Sequence, residues 1–94
     1  MILPFKTAIL KYIVEHKEDV VSTASVMEGM KDTVYAKESQ FNPKRVTGYI
    51  DAYGQCGFLK KEHVEINSDG TIDISYRVTD AGIARAQRFI PGVK

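Results

Sequence analysis

Lys44, Arg45, Thr47 and Gly48 fall close together in the chain, with Lys37, Ser39, Gln40 and Asn42 just upstream and Lys60 further on. These residue types match the chemistry of nucleic-acid edges. Arginine presents two parallel donors to guanine, a carboxamide such as that of Gln40 or Asn42 pairs with adenine, and the threonine methyl touches thymine. Lysine neutralises phosphate, and Gly48, without a side chain, permits a close backbone approach. A polar helix face with no ligand would carry the same residues merely solvated, so the reading depends on the scaffold that presents them.

Other candidate chemistry is weaker. His16 and His63 are far apart, in polar surroundings, with no serine or cysteine at a catalytic spacing, and are expected at the surface. Glu62 and Glu65, like Asp69 and Asp73, fit the solvated side of strands better than a catalytic pair, which needs a cleft. The five tyrosines invite a single-strand stacking role, but several recur at core-facing spacing and are expected to pack. Cys56 lies beside Gly54 and Gly57, where a small, mostly buried thiol is expected rather than a redox sensor, even with Lys60 and Lys61 near in sequence. A single cysteine excludes an internal disulfide, and with two histidines it offers no zinc spacing. No enzyme and no cofactor are implied.

The 94 residues suit one domain spanning 1–94, and a hydrophobic fraction of 44% is enough to fold. No apolar run approaches the roughly 20 residues of a membrane span, and the opening Met1-Ile2-Leu3-Pro4-Phe5 lacks the pattern of a secretory leader. A reducing, cytoplasmic setting is expected. The formal net charge is only +1, so the distribution of charge carries the argument rather than its sum. Residues 37–61 hold Lys37, Lys44, Arg45, Lys60 and Lys61 against Glu38 and Asp51, a local balance of +3. Glu62, Glu65, Asp69 and Asp73 then follow with no cation before Arg77.

The elements that must position these groups follow from periodicity. Phe5, Ala8, Ile9, Tyr12 and Ile13 recur at helical spacing after Pro4, predicting a helix over 4–17. Ser22 or Thr23 caps a second helix over 22–34, with Val26, Met27, Met30 and Val34 on its apolar face. Asn42-Pro43 is a cap followed by a proline at the first helical position, which starts a third helix over 43–55. That helix buries Val46, Tyr49, Ile50 and Tyr53 and stops near Gly54 and Gly57. Its opposite face presents Lys44, Arg45, Thr47, Gly48 and Asp51. The period then changes to two over 58–66 and 71–78, with Asn67-Ser68-Asp69-Gly70 as the turn of an antiparallel hairpin. Thr79 or Asp80 caps a last helix over 80–90, with Ile83, Ala86 and Ile90 on one face. The result is a mainly α protein with a small antiparallel hairpin, in the order α-α-α-β-β-α.

That order resembles the winged helix-turn-helix superfamily. Ile50 to Leu59 is similar to its junction, an apolar helix end, a glycine and an apolar pair opening the first wing strand. Tyr76-Arg77-Val78-Thr79-Asp80-Ala81-Gly82 resembles its aromatic-x-aliphatic-Thr-x-x-Gly step into the closing helix. The departure is Asp32 to Phe41, longer than the usual turn, where an extra helical turn is expected. The resemblance implies sequence-directed binding of double-stranded DNA by a small transcriptional regulator, with the third helix in the major groove. A homodimer would double the base contacts, and its expected seam is the first helix with residues 83–90, whose apolar surface a small core covers incompletely. An acidic wing repels phosphate, so it is expected to stay off the DNA or to meet a protein partner. The alternative reading is therefore a protein-interaction module that uses the acidic hairpin and does not bind DNA directly.

Overall fold

A computed structural model describes residues 3–93. Helix α1 runs Phe5–Glu15, α2 Thr23–Met30 and α3 Pro43–Gln55; strands β1 (Leu59–Ile66) and β2 (Ile72–Val78) follow, and α4 is Asp80–Phe89. The order and type of elements match the expectation, as does the α+β class of winged-helix kind. α2 packs against α3, α1 against α4, and α3 against β1. No helix among the described residues is long and apolar enough to cross a membrane.

Local chemistry sets the helix ends. The Ser22 hydroxyl accepts from the Ser25 amide, and the Ser25 hydroxyl accepts from the Ser22 amide, a reciprocal cap on α2. Asn42 Oδ1 accepts from the Arg45 amide at 2.9 Å, and Pro43 occupies the first turn of α3. Gly57, at φ 83°, takes the left-handed conformation that stops α3 and turns the chain into β1. In the hairpin turn Gly70 does likewise at φ 88°, while Asp69 Oδ1 accepts from the Thr71 amide and hydroxyl. Those bonds hold the Asp69 carboxyl below its ordinary pKa.

One cluster of buried side chains runs from Phe5 to Ile90 and includes Ile9, Ile13, Val26, Val46, Ile50, Tyr53, Tyr76 and Ala86. Burial pushes the Tyr53 phenol up to about 12; the hydroxyl, rather than ionising, donates to the Lys6 carbonyl oxygen at 2.5 Å. Tyr12 is half-buried rather than fully interior and donates to the Ser25 carbonyl across α1 and α2.

Three expectations are corrected. α2 ends at Met30, and Val34 is not on its apolar face: it begins a 3-10 turn over Val34–Lys37 and is 62% exposed. The turn forms because Tyr35 and Phe41 anchor the segment on α1, their rings 5.5 and 5.9 Å from that of Phe5. Aromatic packing thus shapes the long connection, in place of a continued helix. Cys56 is exposed instead of mostly buried, because the α3 face ends at Tyr53 and Gly57 swings the chain away. The apolar residues expected to remain uncovered on α1 and on 83–90 are largely internal. Phe5, Ile9, Ile13, Ala86 and Ile90 are buried, Ile83 is half-buried and Phe89 is exposed, since α1 and α4 cover one another.

Candidate nucleic-acid interface

α3 presents the candidate residues because its buried stripe is narrow. Val46, Ile50 and Tyr53 are its buried side chains, which leaves the turn beginning at Lys44 facing outward. Lys44, Arg45 and Gly48 are exposed and border one shallow depression together with Asn42 and Tyr49. Beyond its own stretch of helix backbone, nothing among the described residues lies within 4 Å of where a side chain at Gly48 would start, so the helix is open to an approaching surface at that point. Among the described residues neither Lys44 nor Arg45 is in a salt bridge. Their charges are available to a ligand.

The other expected contact residues are placed differently. Asn42 is engaged twice: its Oδ1 caps α3, and its Nδ2 donates to the Ser39 carbonyl oxygen at 2.8 Å. Gln40 donates through Nε2 to Glu38 and accepts from the Tyr49 hydroxyl at 2.6 Å. Both amides therefore shape the entry to α3, and base contact would require breaking these bonds. Thr47 Oγ1 lies 2.7 Å from Thr23 Oγ1, joining α3 to α2. Lys37 and Ser39 are exposed in the connecting segment that precedes α3.

Lys60 stands apart from this group. Leu59 points into the core, and strand alternation sends Lys60 to the opposite side. Lys61 shares a depression with Asp51, Gly54 and Gln55 of α3. Lys61, on the same side of the strand as the buried Leu59, borders this part of α3, and Lys60 does not. On the same flank Asp51 accepts from the Tyr76 hydroxyl at 3.0 Å. Burial first, and then that bond, raise the Tyr76 pKa.

Asn42→Ala is expected to lower stability by about 1 kcal/mol, the usual cost of losing an N-cap side chain. Chemical denaturation checks it. Unchanged stability would mean that the cap bond contributes nothing and that the amide is available for recognition.

The wing's acidic side chains are exposed. Glu62 is paired with Arg77 at 2.8 Å, whereas Glu65 faces Asp73 directly across the strands, like charges opposite one another. Val64, Ile66 and Ile72 are 52%, 74% and 59% exposed toward the hairpin tip.

No protein-family model matches this sequence, and no curated protein does. The fold is shared with a proposed transcriptional regulator from Thermoplasma acidophilum, known from a crystal structure: the TM-score is 0.66 at 20% identity, over 90% of this chain and 79% of that one.

Proposed function

We propose that residues 1–94 form one winged-helix domain that binds double-stranded DNA in a sequence-directed manner, as a homodimeric transcriptional regulator with α3 in the major groove. The observation that carries this reading is the outward first turn of α3, where Lys44 and Arg45 are exposed and unpaired among the described residues, beside the open backbone of Gly48. Arg45 reads a base edge, Lys44 contacts phosphate, and Lys37 and Lys61 extend the positive surface on either side. The role of the Thermoplasma acidophilum protein as a proposed regulator supports the same use of the fold. Two-fold pairing places two such helices on successive turns of a palindromic site. The wing, with Glu65, Asp69 and Asp73 at its far end, stays away from the phosphates.

Selection of preferred sites from random duplexes, followed by titration at two salt concentrations, tests the reading. Arg45→Ala is expected to cost roughly 1–3 kcal/mol on the preferred site and to relax preference at one position. Lys44→Ala is expected to weaken all sequences alike and to reduce the slope of log affinity against log salt by about one. Glu65→Ala leaves affinity unchanged or slightly higher. A double Lys44/Arg45 alanine variant that is folded and binds duplex DNA as well as the parent would overturn the assignment.

A further inference from the structure

The outer edge of β2 is only partly used. Tyr76 exchanges both backbone hydrogen bonds with Val21, each at 2.7 Å, so its N–H and C=O point away from β1. Backbone direction alternates along a strand, and β2 is continuous from Ile72 to Val78, the irregularity lying in β1 between Lys61 and His63. Ile74 and Ile72 must therefore direct their N–H and C=O groups to the same outer side as Tyr76. The turn agrees, because the Asn67 amide donates to the Thr71 carbonyl at 2.8 Å and so places the odd-numbered residues in the hairpin ladder. After Val21 the chain leaves the edge to enter α2, and among the described residues nothing continues the pairing beyond the Val21–Tyr76 bridge.

This free edge opens into a groove of about 710 Å3 between the wing and the starts of α2 and α3. Ala24, Met27, Pro43, Ile72 and Ile74 supply its apolar surface, and Asp51, Glu65 and Asp73 are its only ionisable side chains, all acidic. Phosphate is repelled there, which separates the groove from the cationic turn at Lys44 and Arg45. A second copy pairing through this same edge would set Asp73 against Asp73, which like-charge repulsion opposes.

We infer that the outer edge of β2 at Ile72–Ile74 is a docking site for an extended segment of a partner protein in which apolar residues alternate with lysine or arginine. The segment continues the sheet outward from Val21. Its main chain takes up the N–H and C=O groups of Ile72 and Ile74. Side chains on one of its faces join Ile72 and Ile74 over Met27 and Ala24. Those on the other face are cations beside Glu65 and Asp73, which lie opposite one another across the strands and carry no ion pair among the described residues, Asp73 accepting only from Asn67 Nδ2 at 2.9 Å.

Three short labelled peptides test this against the full chain by fluorescence anisotropy: alternating valine and lysine, the same with glutamate for lysine, and the valine–lysine peptide with alternate amides N-methylated. The unmodified valine–lysine peptide is expected to bind saturably, at least about tenfold tighter than either of the other two. Binding should slow hydrogen exchange at the Ile72 and Ile74 amides. Asp73→Lys is expected to weaken binding by about tenfold or more through charge. Ile72→Pro is expected to do so by removing an outward N–H, a substitution that an edge strand accepts because the ladder does not use that group. If no alternating peptide binds saturably, or if N-methylation leaves the affinity intact, the docking edge is overturned. Slowed exchange elsewhere with Ile72 and Ile74 unaffected would overturn it equally.

Discussion

Ile50→Ala is expected to destabilise the protein by about 2–5 kcal/mol, the range for removing a large aliphatic side chain from a well-packed interior. Ile50 is 1% exposed and among the largest fully buried side chains. It shares the core with Val26 of α2, Ile9 and Ile13 of α1, and Val46 and Tyr53 of its own helix. Total stability for a chain of this size is commonly about 5–15 kcal/mol, so the loss is a large fraction of the whole. Thermal and urea unfolding should show a midpoint lower by roughly 10 °C or more, with an unchanged denaturant slope. A loss under about 1 kcal/mol would mean that this face of α3 is not packed as described. If the proposed DNA binding holds, affinity should fall only in proportion to the folded fraction, because Ile50 is buried whereas Lys44 and Arg45 are exposed.

Gly82→Ala is expected to reverse the usual sign of a helix glycine substitution. In an open helix, alanine is better than glycine by up to about 1 kcal/mol. At Gly82 a new methyl would overlap the Phe58 carbonyl oxygen and lie 2.9 Å from Val78 Cγ2. That carbonyl cannot retreat freely, since it accepts the Thr79 amide at 2.9 Å while the Thr79 hydroxyl donates to Gly57 at 2.6 Å. The expected cost is about 3 kcal/mol, at the upper end for forcing a methyl into a filled space. Gly48→Ala provides the comparison: its surroundings are open, and the substitution should be neutral or stabilising by up to about 1 kcal/mol. If both variants unfolded at the same denaturant concentration, the close approach of α4 to the start of β1 would not be real.

Gly82 also explains why the step from the wing into the last helix is readable in the chain. Tyr76 and Val78 point into the core, Thr79 accepts from the Gly82 amide as the cap of α4, and Gly82 admits the carbonyl of Phe58. Each residue type answers a local demand, so the pattern is visible without the fold. Asn42-Pro43 is equally local, a cap and a preset backbone angle, and it placed the start of α3 at the residue where the helix begins. Gly70 marked the hairpin turn for the same kind of reason. The cationic first turn of α3 was legible too, because a helix with known start and buried stripe has a determined outer face.

What the chain alone left open depends on contacts between residues distant in sequence. An extra helical turn after Met30 was legible, but that it exposes Val34 depends on the packing of Tyr35 and Phe41 on Phe5 and on the bond from the Tyr35 hydroxyl to the Leu3 carbonyl. Asn42 and Gln40 have the right groups for reading bases, but their partners Ser39, Glu38 and Tyr49 show that they are already engaged. Lys60 and Lys61 are interchangeable as neighbouring charges until Leu59 is placed in the core and the strand's alternation assigns each a side. The free edge of β2 is a property of no single residue: it exists because the chain after Val21 turns into α2 and leaves the outward backbone groups of Ile72 and Ile74 without a partner among the described residues. Period, caps and turns are encoded within a few residues and so determined the elements and their order. Which polar groups are already bonded, and which backbone edge is uncovered, is decided only when elements meet, because each outcome is a competition between a local preference and a partner from elsewhere in the chain.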